Sequence, residues 1–312
     1  MKLISVVTAC YNEEPNVKAI YQQVKKVFSK LPQYKYEHIF IDNNSADNTV
    51  AELKKIASQD KNVKVIVNVR NFGHIRSPVH GLLQARGDAV ISIVADLQDP
   101  PEMIEKFLRE WESGYKSVVG VKSKTQEMFL MASIRKFYYR LMHRISSIQM
   151  IKNFTGFGLY DKVVMDAIRK MEDPYPYFRG MICEIGYPIK EIAYEQPARK
   201  RGFSKNNLYT LYDMAILGIT SHSKVPIHLA TIGGFFLAIL SFLLSVIFLI
   251  LKLSFWNHFA IGIAPILISL FFFSSVQLFF IGIIGEYVGA IQTQQLKRPL
   301  VYEKERVNFD ET

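Results

Sequence analysis

The stretch Ile91-Ser-Ile-Val-Ala-Asp-Leu-Gln-Asp-Pro-Pro-Glu102 indicates the fold class of this chain of 312 residues. Its apolar, β-branched start is typical of a buried strand. Two prolines then stop the strand, and proline is well tolerated in the first turn of a helix. The stretch therefore predicts a strand, a polar loop and a helix in direct succession, which is the repeating unit of an α/β sheet.

The polar residues at the end of this strand have the chemistry of a cation site. Side chains alternate along a strand, so a strand that continued to Gln98 would place Asp96 and Gln98 on one face. Carboxylate and amide oxygens suit a hard divalent cation, which completes its octahedron with water and phosphate oxygens. Asp99 has two interpretations, since it can belong to this site or cap the following helix.

Short apolar runs alternate with helical patterns throughout the N-terminal region, which predicts a mainly parallel sheet with helices on both faces. The predicted strands are Leu3–Ala9, His38–Ile41, Val63–Val67, Ala89–Val94 and Ser117–Val121, and the predicted helices are Pro15–Ser29, Asp47–Ser58, Ile75–Arg86 and Pro101–Ser113. Ligands bind such sheets outside the carboxyl ends of the strands. Polar residues follow four of these strands, at Tyr11–Glu13, Asp42–Asp47, Arg70–Gly73 and Asp96–Asp99.

Two apolar segments in the C-terminal third are long enough to cross a membrane. No charged residue occurs in the 23 residues from Leu229 to Leu251 or in the 27 residues from Phe259 to Gly285. A helix needs about 20 such residues to span the hydrocarbon layer. Buried core helices are the alternative, although they seldom lack a polar face. We predict a transmembrane hairpin over 227–288, with spans at 227–251 and 259–286.

Basic residues flank the predicted hairpin on one side. They are Arg199, Lys200, Arg201, Lys205 and Lys224 before it and Lys297, Arg298, Lys304 and Arg306 after it, whereas the turn carries Lys252 alone. The positive-inside rule therefore places an N-terminal domain, 1–205, and a C-terminal tail, 289–312, in the cytoplasm of a multi-pass protein of the inner (plasma) membrane. Residues 206–226 between them predict an amphipathic helix at the bilayer surface, or a plain domain helix.

Composition excludes several classes of protein. The net charge of +10 is concentrated beside the predicted spans, where anionic lipid head groups are a simpler partner than nucleic acid. Cys10 and Cys183 lie far apart without metal-like spacing, so neither a disulfide framework nor a zinc site is expected. The motif Gly285-x-x-x-Gly289 permits close helix packing, and a homo-oligomer is one expectation.

Five motifs in order resemble those of family 2 glycosyltransferases, in the branch of dolichyl-phosphate mannose synthase and bactoprenol glucosyltransferase. They are Thr8-Ala-Cys-Tyr-Asn-Glu-Glu14, Asp42-Asn-Asn-Ser-Ala-Asp-Asn-Thr49, Asn71-Phe-Gly73, Ala95-Asp-Leu-Gln-Asp-Pro-Pro-Glu102 and Arg199-Lys-Arg-Gly-Phe-Ser-Lys205. The resemblance covers nearly the whole chain, including the two-helix anchor. It implies a GT-A (Rossmann-like) nucleotide-sugar-binding domain, a nucleotide-diphosphate sugar donor, with uridine favoured, and a polyprenyl (undecaprenyl) phosphate acceptor.

The resemblance also implies roles for individual residues. The donor nucleotide would be bound by Thr8, Tyr11, Asn12, Glu13, Asp42 and Gly73, with Tyr11, Glu13 and Asp42 on the base and ribose. Asp96 and Gln98 would hold Mg²⁺ or Mn²⁺ on the donor diphosphate. Arg199, Ser204 and Lys205 would bind the acceptor phosphate, and Arg135, on a helix-like stretch over Ser133–Ile145, is a further catalytic candidate. A basic flank that serves only membrane topology is the alternative for Arg199–Lys205.

Three positions depart from the family pattern. Asn43 replaces the second aspartate of an Asp-Asp-Gly-Ser motif, Val94 replaces the first aspartate of Asp-Ala-Asp-Leu-Gln, and Gly156 falls where a further family aspartate is expected. These losses fit a catalytically degenerate regulator that binds a nucleotide or a lipid phosphate. They also fit an active enzyme, because a phosphate acceptor has a second pKa near ~6 and arrives ionised, so it needs no general base.

The sequence thus predicts an inverting, metal-dependent transferase that moves a hexose to polyprenyl phosphate at the cytoplasmic face, for modification of cell-envelope glycans. A processive polysaccharide synthase is a third reading, but it would need more spans and a Gln-x-x-Arg-Trp motif. The tryptophans, Trp111 and Trp256, lack that context. Without a carboxylate at Val94, the site is less anionic than a two-aspartate site, and we expect this to favour the approach of a second phosphate.

Overall fold

The computed structural model describes residues 1–123, 148, 150–197, 208–254 and 263–309. Its strands are β1 Lys2–Cys10, β2 Tyr34–Asp42, β3 Val63–Asn68, β4 Ala89–Val94, β5 Ser117–Lys122, β6 Phe154–Asp161, β7 Ile189–Tyr194 and β8 Glu303–Val307. Its helices are α1 Glu14–Phe28, α2 Thr49–Gln59, α3 Gly73–Gln84, α4 Met103–Glu112, α5 Lys162–Met171, α6 Phe178–Glu184, α7 Leu208–His222, α8 Val225–Ser254 and α9 Ile263–Gln295. Each strand and helix predicted up to Ser117–Val121 is present. The helix expected over Ser133–Ile145 lies outside the described residues.

The described strands form one sheet in the order β7-β5-β6-β4-β1-β2-β3-β8. Strand β1 is central and pairs in parallel with β2 on one side and β4 on the other. Strand β3 continues the parallel arrangement beside β2, whereas β6 runs antiparallel to β4 and β5. The chain therefore builds one half of the sheet, then crosses over to build the other, and the change of direction occurs at the carboxyl end of β1.

Apolar side chains bury both faces of the sheet. Ile4 of β1 belongs to a core shared with α1, α2 and α4, which includes Phe107. Val7 points to the opposite layer, where it packs with Leu82 of α3 and Met165 of α5. Successive side chains of a strand point to opposite faces, so β1 contributes to both layers. The predicted α/β domain of GT-A type, with a mainly parallel sheet and helices on both faces, is confirmed.

Helices α8 and α9 contain two segments long and apolar enough to cross a membrane. These segments are Val225–Leu244 and Ser269–Gln295, with mean hydropathy of 2.2 and 1.6. None of their apolar residues is buried inside the chain, so a lipid environment would cover surface that water otherwise contacts. The predicted spans 227–251 and 259–286 fall within these helices where the chain is described, and α9 continues past the predicted end to Gln295.

Helix α9 contacts earlier parts of the chain at two points. The Tyr287 hydroxyl donates a hydrogen bond of 2.6 Å to the Ser223 carbonyl, just before α8. The Gln294 amide donates one of 2.9 Å to Asp173, in the loop after α5. Helix α7 occupies the predicted 206–226 segment, and its placement at a bilayer surface stays a prediction.

The C-terminal tail returns to the sheet, which sequence patterns did not predict. Strand β8 pairs antiparallel with β3 and covers that edge. The backbone N–H of Val69 donates to Tyr302, and the Asn308 amide donates to the carbonyls of Ala57 and Val63 at 2.7 and 2.8 Å. Val301 is buried beside them. The segment after α9 is thus fastened to the domain at the strand that leads into the Asn71-Phe-Gly73 loop.

Deletion of residues from Val301 onward should destabilise the α/β domain by roughly 3 kcal/mol or more, because it removes one buried valine and several backbone hydrogen bonds and exposes the β3 edge. Unfolding of the detergent-solubilised protein measures the effect. The substitution Lys304→Ala, at an exposed position of β8, should leave the midpoint in place. Equal midpoints for the deletion and the intact chain would show that the tail does not support the domain.

Candidate active site

The loops that follow β1 and β2 are joined where the two strands end. Cys10 and Asp42 are register partners, and the N–H of Asn43 donates to the Cys10 carbonyl at 2.9 Å. The N–H of Asn12 donates to the Ser45 hydroxyl at 2.8 Å, and the Asn12 side chain accepts from the Ala46 N–H at 2.7 Å. These bonds hold Asn12 in a left-handed conformation, with φ of 54°, which asparagine tolerates better than most residues.

Acidic side chains complete the junction of the two loops. The N–H groups of Glu13 and Glu14 donate to Thr49 at 2.9 Å and Asp47 at 3.2 Å. Glu14 in turn accepts from the backbone and the side chain of Asn48, both at 3.1 Å. Burial alone would raise the pKa of Asp47, but hydrogen bonds from Thr49 and from backbone N–H groups bring it below its ordinary value. Asp47 is therefore a charged acceptor within the loop.

Two of the predicted donor residues, Thr8 and Asp42, are fully buried. The Thr8 hydroxyl pairs with His38 Nε2 at 2.9 Å inside the sheet. Asp42 accepts hydrogen bonds from the N–H and the hydroxyl of Ser45, and burial raises its pKa although these bonds oppose the change. The Thr8 hydrogen bond joins β1 to β2, and those of Asp42 hold the loop after β2; the predicted contact of both side chains with a nucleotide stays a prediction. Tyr11, Asn12 and Glu13 lie at the accessible edge and are only partly buried.

Asn43 explains one departure from the family pattern. Its amide nitrogen donates to Asn71 Oδ1 at 2.9 Å and to the Gly73 carbonyl at 3.1 Å. Its oxygen accepts from the Phe72 N–H at 2.9 Å and from the Asn68 amide at 3.2 Å. An aspartate could make only the accepted pair and would face two oxygen atoms. The amide thus fastens the loop before α3, where Gly73 has a φ of +83° that favours glycine.

The structure corrects the geometry predicted for Asp96 and Gln98. Strand β4 ends at Val94, so the alternation of strand side chains does not apply to the two residues. They lie instead in a turn with Leu97 at a φ of 60°, in which the Gln98 N–H donates to Asp96 Oδ1 at 3.1 Å. Both side chains are half-buried at the carboxyl edge of the sheet. The predicted residues are close together, but a turn and not a strand brings them there.

The turn has the chemistry that a divalent cation requires, provided that a ligand completes the site. Asp96 supplies a carboxylate at an accessible edge, close to Asp99, whose pKa is raised by burial first and to a lesser extent by the charge of Asp96. A cation would offset this concentration of negative charge. In the described part of the chain, no group of three or more His, Cys, Asp and Glu side chains could hold a metal by itself. The residues therefore fit a cation shared with phosphate oxygens.

Asp99 does not cap the following helix, which was one of its two interpretations from the sequence. Helix α4 begins at Met103, and its N-terminus has no side-chain cap. Asp99 is 3% exposed, and it accepts a hydrogen bond of 2.8 Å from the Tyr194 hydroxyl. Burial raises the pKa of Asp99 to about 6, against the opposing effects of Tyr194 and Lys122. Sequence reasoning missed this pair because nothing in the pattern around Tyr194 marks it as a partner of the turn.

The backbone conformation at Gly156 favours glycine. Its φ is +101°, a region that side chains rarely adopt, and its carbonyl accepts from the Tyr160 hydroxyl at 2.8 Å. An aspartate here would be strained. The remaining predicted residues, Arg135, Arg199, Ser204 and Lys205, lie outside the described residues, and their roles stay predictions.

Comparison with known proteins supplies the family. The model of glycosyl transferase family 2 matches residues 5–170, more than half of the chain. The chain belongs to glycosyltransferase family 2. It is 33% identical over 297 residues to the bactoprenol glucosyl transferase of Shigella phage SfV, with 95% of this chain and 96% of that protein covered. It is 32% identical to the uncharacterized glycosyltransferase YkcC of Bacillus subtilis, with 95% and 91% covered.

A solved structure matches part of the chain at a greater distance. It is glucosyl-3-phosphoglycerate synthase from Mycobacterium tuberculosis, in complex with Mn²⁺, UDP-glucose and phosphoglyceric acid. The TM-score is 0.49 at 18% identity, with 70% of this chain and 78% of that chain covered. This likeness is too distant to inform the ligands. Family membership establishes that the chain is a glycosyltransferase, as the motifs predicted.

The substitution Asn43→Asp should cost roughly 2–4 kcal/mol of stability, because two donated hydrogen bonds are lost and a buried carboxylate faces oxygen atoms. Chemical unfolding measures this cost. The matched control is Asn44→Asp, which makes the same chemical change at the next residue, where the side chain is exposed. If the two variants unfolded at the same denaturant concentration, the assigned role of Asn43 would be wrong.

Proposed function

We propose that this family 2 glycosyltransferase moves a hexose from a nucleotide-diphosphate sugar, preferably a UDP-sugar, to polyprenyl (undecaprenyl) phosphate. The observation that carries the proposal is the 33% identity to a bactoprenol glucosyl transferase, which extends over 95% of the chain. The similarity therefore includes the two apolar helices, α8 and α9, as well as the sheet. A lipid acceptor gives a physical reason for such helices, because they would hold the catalytic edge beside the bilayer.

The nucleophile and the site fit each other in charge. A phosphate monoester, with a second pKa near ~6, is mostly ionised at neutral pH, so attack on the anomeric carbon needs no general base. The donor diphosphate leaves with additional negative charge, which a divalent cation would stabilise when bound. Asp96 and Gln98 would hold that cation, Mg²⁺ or Mn²⁺, together with the diphosphate oxygens. Tyr11, Asn12 and Glu13 would receive the nucleoside at the ends of β1 and β2.

The acceptor phosphate would approach from the membrane side. Arg199, Ser204 and Lys205, with Arg135, are the proposed phosphate-binding residues, since their charges would oppose those of two phosphate groups. The basic flanks of the apolar helices support a topology with the domain and both chain ends in the cytoplasm. In this arrangement the product is a polyprenyl-phosphate sugar at the cytoplasmic face of the membrane, with the anomeric configuration of the donor sugar inverted.

A regulator without activity is the second candidate, and Val94 is the observation that favours it. Purified protein with undecaprenyl phosphate and a panel of labelled nucleotide sugars separates the two functions. Mass spectrometry should find a glycosylated lipid phosphate with at least one donor. Binding of a donor without transfer from any member of the panel would contradict the enzyme and support the regulator.

We expect Asp96→Ala to lower turnover roughly 100-fold or more, because the diphosphate would leave without its cation. EDTA should have the same effect on the unaltered protein, and added Mn²⁺ should reverse it. The control is Asp166→Ala, which removes an aspartate that pairs with Arg169 on α5. Full turnover by Asp96→Ala, or in EDTA, would contradict the assignment of the cation to this turn.

Val94→Asp should weaken acceptor affinity, because a second carboxylate at this edge repels the incoming phosphate. A like charge nearby costs on the order of 1 kcal/mol, or roughly fivefold in the acceptor KM. Val94 is 44% exposed, and Val163, which is 46% exposed on α5, offers a matched Val163→Asp control. An acceptor KM equal to that of the unaltered protein would contradict this account of Val94.

A further inference from the structure

Tyr194 joins the Asp96–Gln98 turn to the opposite part of the sheet. It is the last residue of β7 and is 5% exposed. Its hydroxyl donates to Asp99 Oδ1 at 2.8 Å, and its ring packs edge-on against Phe157, with 5.3 Å between the ring centroids. The hydroxyl thus reaches from an outer strand of the sheet to the residue that directly follows Gln98.

The backbone of Tyr194 is fixed as firmly as its side chain. Its carbonyl accepts from the N–H and from the hydroxyl of Ser123, at 2.9 and 3.0 Å. Lys122 and Tyr194 are register partners at the ends of the parallel strands β5 and β7. Gly120 packs so closely here that an added Cβ would come within 3.1 Å of the Tyr194 ring. The tyrosine is therefore a rigid point from which a hydrogen bond can position another residue.

Asp99 transmits this position to the turn. Asp99 directly follows Gln98 in the chain, is 3% exposed, and its carboxylate accepts the Tyr194 hydroxyl. Val94 and Asp99 are the two residues that bracket the loop containing Asp96 and Gln98. The hydrogen bond from Tyr194 therefore fixes the Asp99 end of that loop, and Leu97 within the loop has a left-handed backbone.

We propose that Tyr194 is a positioning residue, which acts through Asp99 to fix the turn that carries Asp96 and Gln98 and so sets the affinity for a divalent cation bound with the donor diphosphate. The inference rests on the proposed function, because it assigns the cation to that turn. Removal of a group that hydrogen-bonds to a metal ligand, and so orients it, typically lowers the affinity for the metal 10–100-fold. Tyr194 is buried and acts on the turn through Asp99, so its proposed effect is on the geometry of the turn.

The test is Tyr194→Phe, which removes one hydroxyl and keeps the ring. The matched control is Tyr21→Phe, because the Tyr21 hydroxyl also donates to a carboxylate, that of Asp60, at 2.9 Å. Asp60 precedes β3, which lies in the half of the sheet away from β7. Binding of Mn²⁺ in the presence of UDP, measured by electron paramagnetic resonance on the full-length protein, gives a readout that does not depend on turnover.

We expect the dissociation constant for Mn²⁺ with UDP to rise roughly tenfold in Tyr194→Phe and to stay unchanged in Tyr21→Phe, while the thermal midpoints of the two variants fall by similar amounts. Equal Mn²⁺ affinity in the two variants would overturn the inference. A loss of affinity in both, in proportion to the loss of stability, would also overturn it, since the effect would then be general.

A double-mutant cycle tests whether Tyr194 acts through Asp99. The variant Asp99→Ala combined with Tyr194→Phe should bind Mn²⁺ no more weakly than Asp99→Ala alone, whereas additive losses would contradict the link. Asp96→Ala separates this inference from the proposed function. If the unaltered protein did not bind Mn²⁺ with UDP, or if Asp96→Ala bound it equally well, both proposals would fail. If Asp96→Ala lost Mn²⁺ binding but Tyr194→Phe bound Mn²⁺ as well as Tyr21→Phe does, the positioning role of Tyr194 would fail and the proposed function would stand.

Discussion

The parallel pairing of β1 with both β2 and β4 is the constraint on which the rest of the structure depends. Because β1 has parallel neighbours on both sides, the chain must leave its carboxyl end in one direction and return later to build the other half of the sheet. The connections therefore separate at this edge, where α/β sheets bind ligands. The loops that carry Tyr11, Asn43 and Asp96 leave the sheet side by side at this edge for that topological reason.

The polar residues at this edge fall into two groups, one buried and hydrogen-bonded within the protein and one partly accessible. Thr8, Asp42 and Asn43 are buried; the hydrogen bond of Thr8 joins β1 to β2, and those of Asp42 and Asn43 hold the loops in place. Tyr11 and Asp96, by contrast, remain partly accessible. Because buried polar groups need hydrogen-bond partners, the buried residues form their hydrogen bonds within the protein and stabilise the fold. The accessible residues are those that a donor sugar and a cation can reach.

The sequence predicted the strands and helices that have a clear hydrophobic pattern. It did not predict the features that depend on contacts between residues distant in the chain. Apolar β-branched runs predicted β1 to β5 because these strands are buried. Strand β8, with the sequence Glu-Lys-Glu-Arg-Val, has no apolar pattern, and it forms because it completes the exposed edge of β3. The structure places Asp96 and Gln98 close together after β4, yet the alternation argument failed because the chain leaves β4 at Val94. The pairing of Asp99 with Tyr194 spans 95 positions, and no local pattern can reveal such a pair.

The most direct measurement of the central claim is anomalous diffraction from Mn²⁺ in crystals of the protein grown with UDP. The account predicts one Mn²⁺ peak within about 2.5 Å of an Asp96 carboxylate oxygen and of the diphosphate, with the nucleoside over the ends of β1 and β2. A Mn²⁺–UDP complex bound away from this edge, or held there without contact to Asp96, would contradict it.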